Sequence, residues 1–148
     1  MNLGSKFSSM RKRTNAAAGM PGLAATADLA GRVLLAQLFI IEAVTKLGIY
    51  GAAAAYVTSF GLPRQLLPLA IAVELGGGLF LLLGWQVRIV SLVFAGFCLA
   101  TATIFHNDFA DRGEFIHFQK DLALAGAFLI HCVRGAGAIS LDARSKAG

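Results

Sequence analysis

The chain has 148 residues, enough for one domain, of which 57% are hydrophobic and only 14% charged, with a mean hydropathy of +0.70. Ordinary soluble domains carry about 25% charged residues, so this composition excludes a water-soluble fold and points to an integral membrane protein. The formal charge of +5 does not indicate nucleic acid, because the cations sit at the termini and beside apolar runs and form no basic stripe interleaved with aromatics.

Residues 1–27 are basic at first (Lys6, Arg11, Lys12, Arg13), then rich in Ala, Gly and small polar residues, and read as a disordered, uncleaved cytoplasmic tail. The membrane domain is expected over 28–135. Its first span runs from about Leu29 to Tyr50, with Arg32 near its start and Glu42 and Lys46 on one helix face, four residues apart with the acid first. The Ala-rich stretch Gly51 to Arg64 reads as a short interfacial helix closed by Gly61 and Pro63.

The second span, about Leu66 to Leu83, carries Glu74 near its middle and three consecutive glycines, Gly76 to Gly78, whose expected use is close approach to a neighbouring helix. Gly84-Trp85-Gln86 makes a tight turn into the third span, Val87 to Phe105, which opens with Arg88 and is followed by His106. A polar loop with Asp108 and Asp111 leads to the fourth span, about Phe115 to Val133, which holds His117, Lys120 and Asp121 in its first two turns. Residues 136–148 return to small, polar and basic composition and are expected to be a second cytoplasmic tail.

Lysine and arginine counts set the expected orientation. With the N-terminus inside, nine cations fall on the inner side and four on or near the outer side. The expected fold is therefore all-α, a four-helix transmembrane bundle that is N-in and C-in, multi-pass in a bacterial inner membrane and in contact with the lipid bilayer.

Depth arithmetic then groups the ionisable residues. Glu42 is eight residues from Tyr50 and Glu74 eight from Leu66, so at 1.5 Å per residue both lie about 12 Å below the outer surface. Lys46 sits one turn higher, Asp121 about 9 Å deep, and His106 and Lys120 near the rim. Charges facing lipid are costly, so these six residues (Glu42, Lys46, Glu74, His106, Lys120, Asp121) are expected to face one another, either as a polar pocket opening outward or as ion pairs that only fix helix register. Arg32 and Arg88 are expected at the inner rim as snorkelling side chains, either of them able to pair with Asp142.

Other chemistry has less support. A metal would have to use His106 with Asp108, Asp111 and His117, a spacing that fits no template, so no metal is assigned; a b-type haem would have to use His106 with His117, since His131 lies near the inner end. Cys98 and Cys132 stand about 14–16 Å apart along the membrane normal, too far for a disulfide. No catalytic motif occurs.

The ordered residues together resemble the DoxX family of small bacterial membrane proteins. They are an Arg-led first span ending in Glu42-x-x-x-Lys46, the block E-L-G-G-G-L-F-L-L-L-G-W-Q-V-R from Glu74 to Arg88, a third span ending at His106, the segment F-x-K-D-L-A-L-A-G-A-F-L, and a closing S-L-D. The chain has Lys120-Asp121-Leu122 where the family often has K-N-L, which adds an acid. The resemblance implies four spans in the inner membrane and an accessory role in an oxidoreductase, with a quinone or a partner redox subunit holding the electrons. On this reading Glu42 and Glu74 handle protons beside a quinone-like or other small ligand, Lys46 and Lys120 tune them, and His106 faces solvent. Two rival readings stay open: a small proton or solute carrier using the same acids, and a ligand-free membrane scaffold. Homo-oligomerisation is compatible with each.

Overall fold

The computed structural model describes residues 21–145; Lys6, Arg11, Lys12, Arg13 and Lys146 lie outside it. The described chain is all helical: α1 Pro21–Gly48, α2 Tyr50–Ser59, α3 Leu66–Leu83, α4 Val87–Phe105, α5 Arg112–Arg134 and the single-turn α6 Leu141–Arg144. Residues 21–27, expected to belong to the tail, are instead the first two turns of α1. Proline is well placed there, since its fixed φ suits the start of a helix and its missing N–H is not needed.

Three of the helices are long and apolar enough to cross a membrane, at Gly22–Gly48, Leu66–Leu83 and Val87–Phe105. The expected fourth span does not meet that measure. α5 is 23 residues long but carries Arg112, Glu114, His117, Lys120 and Asp121 in its first ten. Large side chains such as Leu34, Ile89 and Val133 are exposed along the outside, as a lipid-solvated surface requires.

The helices pack as two close pairs, α1 with α3 and α4 with α5. Glycine permits the first pairing and the seam between the pairs. A Cβ on Gly78 would stand 2.7 Å from Ile40 and 3.3 Å from the Ala36 carbonyl, both on α1, whereas one on Gly77 would stand 2.7 Å from the Phe94 ring on α4. Two adjacent glycines thus serve two different neighbours. The pairs meet over an aromatic layer: Phe39 stacks on Phe94 at 4.1 Å between centroids, and Phe128 of α5 lies 5.5 Å and 5.0 Å from these two rings.

The tightest polar construction lies at the Arg32 end. Gly84 takes the left-handed conformation (φ +70°) that ends α3, with Trp85 N–H donating to the Phe80 carbonyl (2.8 Å) and Gly84 N–H to that of Leu81 (3.2 Å). The last carbonyls of α3 are answered by α1. Arg32 is 1% exposed; its Nη1 donates to Leu81 O (3.0 Å) and Leu82 O (3.3 Å), and its Nη2 donates to Ile139 O. The first amides of α4 are answered from the other direction, with Gln86 N–H and Val87 N–H donating to the two Asp142 carboxylate oxygens at 2.8 and 3.0 Å. A cation at a helix C-terminus and an anion at a helix N-terminus are each the favoured sign.

Arg32 is therefore a buried anchor and no rim snorkeller, and Asp142 caps a helix and pairs with neither arginine. Arg88 is exposed and lies beside Gly135. The segment 136–145, expected as a tail, is docked into this end, with Ser140 Oγ accepting from Ala143 N–H to start α6 and Asp142 N–H donating to Gly84 O.

Two outcomes follow for stability in detergent or nanodiscs. Arg32→Ala strands buried carbonyls from two segments and should cost about 3 kcal/mol or more in reversible unfolding. Asp142→Ala removes an N-cap and should cost about 1–2 kcal/mol, with Asp142→Asn, which keeps one acceptor, in between.

Candidate functional site

At the opposite end of the bundle the helices bring together three of the six expected pocket residues. Glu42 and Lys46, one turn apart on α1, face Glu74 of α3 because Gly78, one turn along α3, lets the two helices close on each other. Lys46 Nζ sits between the acids, 3.1 Å from Glu42 Oε2 and 2.9 Å from Glu74 Oε1. The two carboxylates differ sharply in surroundings. Glu74 is 3% exposed, while the Glu42 side chain is 53% exposed on the outside of α1.

Glu74 Oε2 is buried with no hydrogen-bond partner. A carboxylate accepts at both oxygens, and each buried oxygen left unmatched costs about 1–3 kcal/mol. Lys46 supplies one positive charge to two acids, so the cluster of three carries one charge in excess if both acids are ionised. Such a cluster can hold or release a proton, and its bare oxygen can accept a hydrogen bond from a bound molecule.

The other three expected residues lie elsewhere. Asp121 accepts a hydrogen bond from Thr101 Oγ1 (2.8 Å), a hydroxyl also 3.0 Å from the Cys98 carbonyl, and so belongs to the α4–α5 pair. Lys120 is exposed and makes no ion pair among the described residues. Helix geometry explains the split: neighbours in sequence point about 100° apart, so Asp121 turns to α4 and Lys120 to the outside.

His106 ends α4 and does not stand free in solvent. Its Nδ1 is 2.6 Å from Glu114 Oε2, and its ring stacks on His117 with centroids 5.1 Å apart and planes inclined by 23°. Stacked rings leave no gap for a haem plane. Asp111, one of the loop acids, is committed to capping α5 through Gly113 and Glu114 N–H, and Asp108 to Ala110 N–H. Among the described residues no three His, Cys, Asp or Glu side chains gather closely enough to hold a metal ion.

Glu114 and Thr101 are the polar residues that sequence reasoning passed over. Glu114 had a signal, the D-x-x-E spacing from Asp111 that marks a helix start. Thr101 had none, since its partner is set only by how α4 and α5 are rotated. The same end carries an aromatic group in which Tyr56 of α2 and Phe60, just past its end, pack on Phe105. Burial first, and the nearby Glu114 charge second, hold the Tyr56 phenol above its ordinary value. A cavity of about 360 Å³ opens beside α2, lined by Tyr50, Gly51, Ala54, Ala55, Thr58 and Arg64, and none of the six expected pocket residues lines it.

Comparison with known proteins places the chain in a family. The family model described as DoxX matches residues 27–107, more than half of the chain, from the second turn of α1 through the end of α4 and so including Arg32, the Glu42–Lys46–Glu74 cluster and His106. The chain is 40% identical over 114 residues to inner membrane protein YqjF of Escherichia coli (strain K12), covering 77% of this chain and 88% of that protein. It is 33% identical over 123 residues to inner membrane protein YphA of the same organism, covering 78% of this chain and 88% of that protein. No solved structure matches it. Apolar helices with their charges drawn inward, a family match over the helices that hold those charges, and relatives of nearly the same extent make this an inner-membrane protein, and the chain belongs to the DoxX family.

Proposed function

We propose that the chain is a four-span accessory subunit of an inner-membrane oxidoreductase, N-in and C-in, that binds a small quinone-like ligand at the Glu42–Lys46–Glu74 cluster and exchanges protons with it. The observation that carries this reading is the unpartnered, buried oxygen of Glu74 beside a lysine shared by two acids. A buried acid with an open acceptor position is suited to a ligand that gains and loses protons as its redox state changes. A quinone, when bound, supplies the two-electron chemistry; the electrons come from a partner redox subunit.

The chain's own residues bind, orient and store protons. Glu74 meets the ligand, Lys46 holds the Glu74 carboxylate in place, and Glu42 shares the charge of that lysine. The count of four spans draws on α5, whose 23 residues reach about 35 Å and whose Phe128 sits in the central aromatic layer. That layer, formed by Phe39, Phe94 and Phe128 between Glu74 and the Arg32 end, argues against a proton or solute path through the bundle. The scaffold reading draws on the same two salt bridges, and stability measurements separate it from ligand binding.

Purified protein in nanodiscs should be stabilised by a short-chain quinone or quinol, by about 2.7 kcal/mol at a hundredfold excess over Kd, and Glu74→Gln should lose most of that gain. Absence of any stabilisation across benzoquinone and naphthoquinone types in both redox states refutes ligand binding and leaves the scaffold. Independently, Lys46→Met leaves Glu74 buried without its cation and should cost about 3 kcal/mol or more. Adding Glu74→Gln should return most of that loss, a coupling read from a double-mutant cycle of unfolding free energies.

A further inference from the structure

The lipid-facing side of α1 is patterned for another helix. Leu34, Leu38, Ile41, Thr45 and Gly48 recur at alternating spacings of four and three residues, and all are exposed, Leu34 at 65% and Ile41 at 57%. This is the spacing of a coiled-coil seam, kept over two heptads on the face opposite Arg32, Ala36, Phe39 and Ala43, which are buried in the bundle. Two polar side chains flank the seam, Gln37 on one side and Glu42 on the other, both exposed.

Gln37 and Thr45 make no side-chain hydrogen bond among the described residues, and Glu42 uses only Oε2, toward Lys46. The exposed positions through the middle of α3 and α4, such as Leu69, Leu79, Leu92 and Leu99, are by contrast apolar. Polar groups facing hydrocarbon are costly and find partners on other helices.

We infer that a second copy of this chain covers this face, through a parallel α1–α1 contact about a two-fold axis along the membrane normal. Two copies inserted in the same orientation meet at equal depth, and a closed symmetric pair uses the same surface twice. In a parallel two-stranded coil, a residue flanking the seam on one helix meets the flanking residue on the opposite side of the other helix, one heptad step along. Gln37 and Glu42 are five residues apart, about 7.5 Å of rise, the offset at which such flanking side chains reach each other.

The Gln37 amide N–H therefore donates to the neighbouring copy's Glu42 at Oε1, twice by symmetry. An amide suits this position better than a second acid, which would repel Glu42, or an aliphatic residue, which would leave its oxygen bare. The neighbouring copy thereby contributes a residue to the carboxylate cluster: Glu42 is held between Lys46 of its own chain and a glutamine of the other. The contact does not depend on any ligand.

The test is the oligomeric state of the full chain, by native mass spectrometry from mild detergent and by single-molecule photobleaching in liposomes of phosphatidylethanolamine and phosphatidylglycerol. Wild type should be a dimer. Gln37→Glu should place like charges opposite each other and weaken the dimer about tenfold or more, while leaving helical circular dichroism unchanged. Adding Glu42→Gln to Gln37→Glu exchanges the two partners and should restore the dimer, a rescue that a general folding defect does not produce. A monomer at all protein-to-lipid ratios, a dimer indifferent to Gln37→Glu, a dimer not restored by the double exchange, or a different protein bound stoichiometrically at this face each overturns the inference.

Discussion

The turn between α3 and α4 has a cation at one helix end and an anion at the other, and neither comes from the hairpin itself. Arg32, from α1, closes the last carbonyls of α3; Asp142, from beyond α5, closes the first amides of α4. In hydrocarbon or at its margin, free backbone groups have no water to turn to, so the protein has to supply these partners. Because the same guanidinium also takes the Ile139 carbonyl, three segments far apart in sequence are fixed to one group. The rotation of α1 that places Arg32 here also decides which of its residues face α3, and with them the position of Lys46 between Glu42 and Glu74.

The two polar ends of the bundle are built on different terms. At the Arg32 end the guanidinium and the Asp142 carboxylate meet backbone carbonyls and amides at the ends of α3 and α4. At the Lys46 end one ammonium serves two carboxylates, one oxygen stays bare, and a second acid lies on the outer face. Between them lie the packed rings of Phe39, Phe94 and Phe128. Replacing a buried ion pair with apolar residues is often neutral or better for stability.

Much of this was legible in the sequence, for reasons of period and cost. Apolar runs bounded by Gly84-Trp85-Gln86 and by the polar loop after His106 locate α3 and α4, and equal distances from the chain's turns place Glu42 and Glu74 near one level. What the sequence could not supply was helix rotation. Depth arithmetic assigns a height to Lys120 and Asp121 but no azimuth, so both were grouped with a cluster that neither joins. Arg32 and Asp142 were read as rim charges because a sequence shows their sign and height, while their backbone partners come from segments about fifty residues away. Small, polar and basic composition after Gly135 reads as a cytoplasmic tail, but Ser140 and Asp142 act there as helix caps.

The Asp142 cap also imposes an order on biogenesis. The amides it serves, at Gln86 and Val87, leave the ribosome 56 and 55 residues ahead of it. At ~5–20 residues per second the hairpin of α3 and α4 is therefore made several seconds before its closing carboxylate exists. During that interval those two amides lack the carboxylate that receives them in the finished fold. The last part of the chain to be synthesised thus supplies the partner for a turn made much earlier.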